Sequence, residues 1–186
     1  MARDVIGDHL LACAGFSAVV NMVGHRWSSP SPCSDWDARG VVEHVIGFHD
    51  VLLLRPLHAK PHRPKDDPVA RWAVTESAIE SEMPGLGEGL TLAVPGDSFM
   101  DLGLLLPMLT GDVVVHTWDL AKAIGEPVPL DPQLVERAYD DYRISDGKLR
   151  ASDMFGPPVP VAQGADTVTK LVALLGRDPD WQPPDP

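Results

Sequence analysis

At 186 residues, 44% hydrophobic and 23% charged, the chain can bury a sizeable core as one globular domain. Its net charge of −12 argues against a nucleic-acid or anionic-membrane partner, because neutralising phosphates takes clustered lysines and arginines. No apolar run approaches the roughly 20 residues that span a bilayer, no basic-then-apolar leader opens the chain, and two cysteines are too few for a disulfide framework, so the cytoplasm is the expected location.

From about Asp4 to Gly24 the pattern predicts a first helix, with Val5, Ala12, Cys13, Phe16, Val19, Val20 and Val23 at helical spacing. Cys13 reads as a small core residue, and His9 lies on the same stripe as Ala12, Cys13 and Phe16. Two prolines and four serines between Ser28 and Ser34 mark a loop, in which Cys33 reads as packed against the next helix start. A second helix is expected from near Trp36, capped by Ser34 or Asp35, to Arg55 before Pro56. Residues Pro56 to Pro68 form a linker, and a third helix runs from Pro68 to Met83, closed by Pro84-Gly85.

Between Gly85 and Asp101 lies a glycine-rich stretch with one β-like run, Leu90 to Val94, where a hairpin is expected. Leu102 to Ile124 reads as the most buried helix, apolar on nearly every side, with Pro107 marking a kink or the true first turn. Asp131-Pro132 opens a helix to Ile144, Ala151 to Gly164 is proline-rich and irregular, and Asp166 to Leu175 makes a last short helix. The expectation is an all-α fold of four main helices in one domain over residues 1–186, with a core over 4–125 and a C-terminal extension over 126–186.

One stretch carries chemistry. At about 100° of turn per residue, Asp112, His116 and Asp119 fall within about 60° of one another on the fourth helix. On the second helix His44 shares a face with Val41, Phe48 and Val51, whereas Glu43 and His49 turn away and are expected in solvent. The functional reading is a divalent metal held by His44, Asp112 and His116, two ligands from one helix and a third from a facing one. His9 is the rival third ligand, and the plainer reading is a His116–Asp112 hydrogen bond with nothing bound. Asp119 either orients a ligand or substrate group or pairs with a neighbouring loop. Trp118 reads as core, and His25, His58 and His62 carry no specific role.

These residues also carry a resemblance. Trp27, Pro30-Ser31-Pro32-Cys33-Ser34-Asp35-Trp36-Asp37-Ala38-Arg39 and Val42-Glu43-His44-Val45 resemble the opening of the mycothiol-dependent maleylpyruvate isomerase-like proteins, within the DinB-like (YfiT-like) metal-binding superfamily. Asp112 to Ala121 is similar to the second signature of the branch described only as metal-binding proteins. The tail, Phe155 to Ala162 with Leu174 to Trp181, resembles the ending of the same branch. The resemblance implies a DinB-like four-helix bundle with short additional C-terminal helices, and a metal on the positions matched by His44, Asp112 and His116. The isomerase resembles this pattern with Glu in place of Asp112, which counts against identity with that enzyme.

The implied ion is zinc first, with nickel or iron also suited to mixed imidazole and carboxylate ligation. The implied partners are a small-molecule thiol such as mycothiol and an electrophilic substrate, in isomerisation or S-transfer, and a homodimer is compatible. A metal-dependent hydrolase and a non-catalytic metal-binding or stress-related protein are the alternatives.

Overall fold

The computed structural model describes residues 3–87, 89–96, 98–145, 147 and 155–184. Among them the chain is mostly helical, with six α-helices: α1 (Val5–Val20), α2 (Ala38–His49), α3 (Pro68–Glu82), α4 (Leu102–Ile124), α5 (Pro132–Ile144) and α6 (Thr167–Leu174). Each starts at an aspartate. Asp4, Asp37, Asp67, Asp101, Asp131 and Asp166 all accept a backbone N–H of the first turn, satisfying donors that a helix start leaves free. The second helix therefore begins at Ala38 with Asp37 as its cap, later than the expected start near Trp36 with Ser34 or Asp35 as cap. The chain ahead of it is held instead by a bridge between Pro30 and Asp37.

The all-α expectation needs correction at one place. Thr91–Val94 (β1) pairs antiparallel with Ser98–Asp101 (β2), Leu92 opposite Met100, so a small two-stranded sheet sits between α3 and α4. Leu92 is buried, and Leu102 N–H donates to Leu90 O, tying the hairpin to the head of α4. Pro107 lies inside α4, which starts before it at Leu102. No helix of the described residues is long and apolar enough to cross a membrane.

The longest helix, α4, packs against α1, α2 and α5, while α3 packs against α1 and α2 and α6 against α5. Every α4 residue from Leu109 to Ala121 is buried. The core joins Cys13, Phe16 and Val20 of α1 to Val42, Val45 and Ile46 of α2, Trp72 and Ile79 of α3, and Leu106, Leu109 and Val113 of α4. Trp72 seats its indole edge-on to Phe16, centroids 4.8 Å apart, and donates Nε1–H to Ser17 Oγ at 2.6 Å. At its C-terminal end α2 passes into a π-helical turn, Asp50–Leu54, and the linker beyond it is irregular. The irregular reading of residues 151–154 lies outside the described residues, and 155–164 is free of helix and strand as expected.

Candidate metal centre

The loop before α2 is built to deliver an indole. Buried Ser31 donates its hydroxyl to Trp36 O at 2.7 Å and accepts Cys33 N–H at 3.2 Å, closing the turn. Gly40 sits one turn into α2, where an added Cβ would lie 2.7 Å from Trp36 Cβ, so only glycine lets the indole lie back along the helix. Trp36 then stacks on His44, centroids 4.3 Å apart and planes 23° from parallel, and meets His116 edge-on at 5.5 Å. Phe48, one turn beyond His44, stacks on the same imidazole at 5.3 Å.

His44, Asp112 and His116 meet beneath that indole. His44 Nε2 lies 3.3 Å and His116 Nε2 3.4 Å from the same oxygen, Asp112 Oδ1. One ligand atom from each of the three falls within 4.8 Å of the other two. Asp112 Oδ2 is buried with no hydrogen-bond partner, the one such side-chain atom among the described residues. On the far side of the His116 ring, Nδ1 donates to Asp119 Oδ2 at 2.9 Å, which keeps a proton on Nδ1 and turns Nε2 toward Asp112. Fully buried Asp119 also accepts from Arg177 Nη2 at 3.0 Å. The resulting relay, Arg177 to Asp119 to His116, ties the segment after α6 to the centre of α4.

The electrostatics favour positive charge at this point. Burial alone would raise the Asp112 carboxyl, but the His116 and His44 imidazoles outweigh it and hold the group well below the usual carboxylate range. Burial opposes the His116 cation too, yet Asp112 and Asp119 push its pKa up to about 9. Asp119 is likewise lowered: His116 and Arg177 overcome the cost of burying it. A carboxylate oxygen without a partner, beside two imidazole nitrogens and under an apolar roof, is a donor set that fits a divalent cation. Such an unpaired buried oxygen is costly unless something binds it.

The remaining candidates lie elsewhere. His49, expected in solvent, is fully buried: α2 packs against both α3 and α4, so its buried arc is wider than one face. The signal was present, because His49 continues the stripe Val42, Val45, Ile46 at offsets of seven, four and three. Glu43, also expected in solvent, is half-buried and grips Arg71 through two bonds of 2.7 and 2.8 Å. His9 lies outside this group and joins Cys13 and His49 in a second buried one. His25, His58 and His62 are exposed, and Trp118 is buried with Lys122 over its ring. Cys33 is half-buried; burial raises its thiol and nearby Arg177 partly offsets that. Arg177 falls within the tail motif Leu174 to Trp181 but has no role expected from it, as an arginine in a Gly-Arg-Asp-Pro turn carries no spacing that points to α4.

Two Mycobacterium tuberculosis proteins, the uncharacterized proteins Rv0738 (strain H37Rv) and MT0763 (strain CDC 1551), are each 30% identical to the chain over 185 residues. The alignment covers 94% of this chain and 98% of each of theirs. No family model matches the chain, and no solved structure matches it.

Proposed function

The chain belongs to one family with Rv0738 of Mycobacterium tuberculosis, and we propose that its His44, Asp112 and His116 hold a divalent cation. The observation that carries this reading is the buried, partnerless Asp112 Oδ2 beside two imidazoles whose Nε2 atoms already face the same carboxylate. Zinc suits this ligand set first, and nickel or iron also fit. The resemblance of the motifs around Trp36, His44 and Asp112 to the DinB-like proteins supports this reading.

A divalent cation here would supply Lewis acidity and lower the pKa of a bound thiol. One carboxylate and two neutral imidazoles leave that cation a net charge of about +1, which favours an anionic thiolate as co-ligand. The function supported best is therefore that of a metal-dependent enzyme using a low-molecular-weight thiol of the mycothiol type, in S-transfer or isomerisation. Hydrolysis is less well served. Asp119, the acid placed to act as a general base, is fully buried and already engaged by His116 and Arg177. Trp36 and Phe48 enclose the His44 ring and keep its Nε2 turned inward.

Elemental analysis of the purified protein should find about one divalent metal per chain, with His116→Ala retaining none, as expected when one of three ligands is lost. A full equivalent kept by that variant would refute the ligand assignment. Adding mycothiol to the cobalt-substituted protein should produce a thiolate-to-cobalt charge-transfer band. Absence of any spectral change would remove the thiol from the proposal and leave a metal-binding protein. Chelation then separates the last alternative: if stripping the metal unfolds the chain, the ion is structural.

A further inference from the structure

A second set of soft donors lies deeper in the molecule. His9 and Cys13, one turn apart on α1, meet His49 at the end of α2, and all three are buried, their ligand atoms within 4.8 Å of one another. His9 Nε2 stands 3.2 Å from His49 Nε2 and 3.8 Å from Cys13 Sγ. The outer nitrogens explain why these atoms converge. His49 Nδ1 donates to Val45 O at 2.6 Å, an acceptor only, so its proton lies there. Thr110 Oγ1 donates to Leu106 O at 2.7 Å and is left to accept from His9 Nδ1 at 3.1 Å. With both protons on the outer nitrogens, two Nε2 lone pairs face each other beside a thiol.

From this geometry we infer that His9, Cys13 and His49 form a second metal site, distinct from the His44 centre, that takes one thiophilic cation, cuprous copper. Two imidazole nitrogens on a common ion at about 2.0 Å stand about 3.3 Å apart in a tetrahedral arrangement, close to the observed spacing. A thiolate and two imidazoles are the donors that select Cu(I) or zinc over harder ions. Charge decides between the two. The thiolate cancels a monovalent ion, whereas a divalent one leaves net positive charge among three residues buried from solvent, and burying unbalanced charge is costly. On binding, the Cys13 S–H bond breaks, the sulfur keeps the electron pair for the metal, and one proton leaves to solvent; the imidazoles lose none.

The test disables the first centre, so that the two sites fail separately. His44→Ala, at a half-buried position, is stripped with chelator and loaded anaerobically with Cu(I). About one equivalent should survive desalting, with a copper-edge X-ray absorption shell of one sulfur and two nitrogens and about one proton released per ion. Adding Cys13→Ser in the same background should remove the sulfur and weaken binding at least about tenfold, the lower end of what even outer-shell changes cost. No retained copper, or a shell of nitrogen and oxygen alone, overturns the site. Should Cys13→Ser fail to fold, the absorption shell of His44→Ala decides by itself. If a parallel load with Zn(II) is retained where Cu(I) is not, with the same sulfur-containing shell, copper as the occupant is overturned. Failure of this site leaves the loss of metal in His116→Ala unaffected.

Discussion

At the scale of single residues, Asp119 does more than its distance from the ligand set suggests. It touches neither His44 nor Asp112 in the hydrogen-bonding network, yet it fixes the tautomer of His116 through Nδ1. Asp119→Asn keeps the size of the side chain and removes the charge that His116 and Arg177 share. We expect metal affinity, measured by competition with a chromophoric chelator, to fall about 10- to 100-fold while helicity is retained. Unchanged affinity would mean that His116 presents Nε2 without help from behind. Gly40 matters in another way, through the absence of a side chain: it is the space into which Trp36 leans to cover His44.

At the scale of elements, α1 and α2 are joined across the core by the His9–His49 pair, and that contact has a pH signature. Burial lowers the pKa of both imidazoles below the ordinary value of 6.5; His49 adds to the effect on His9, and the Val45 carbonyl and Asp112 only partly oppose it for His49. The groups facing the pair are Cys13, Thr110, Asp112, His44 and Arg63. In the unfolded chain both histidines titrate near 6.5, so below that pH the unfolded state binds more protons and stability falls. His116, raised to about 9, contributes fully below 6.5 and adds no slope there; its contribution is lost as pH rises through 9. The urea midpoint of the metal-free protein should therefore drop between pH 6.5 and 5, and again on the alkaline side as His116 loses its proton. A midpoint flat from pH 6.5 to 5 would mean that the pair is charged in the native state.

For the whole molecule, the decisive contact is the one from the C-terminal segment back to α4. Gly176 turns the chain with φ of 82°, where its Cα would carry a Cβ within 2.9 Å of the Gly156 backbone, and the turn aims Arg177 inward. Arg177 also donates to Leu175 O and lies over the Phe155 ring, so its guanidinium is anchored on three sides. Arg177→Met would leave the buried Asp119 carboxylate to His116 alone, at a cost of about 1.5–3 kcal/mol for the lost charge-assisted hydrogen bonds. A thermal melt should show the loss as a markedly lower Tm, together with weaker metal retention. An unchanged Tm would mean that the segment after α6 does not brace the centre.

Much of this was legible along the chain. The aspartate cap at Asp131, prolines and glycines after the helices, and the four-residue spacing of Asp112 and His116 are local features, and local hydrogen bonding and helical geometry act the same way wherever the helix lies. Of the hairpin, the first strand was legible in the run Leu90 to Val94, and its partner Ser98–Asp101 was not. What the tertiary structure alone decided is which helices are neighbours. A second neighbour for α2 buried His49 where one face had been expected to look into water, and His9 went with it into a separate cluster. Arg177 reaches Asp119 across 58 positions of sequence, and His9 reaches His49 across 40. Separations of that length leave no periodic trace, because the chain between them is free to take any path until the core selects one.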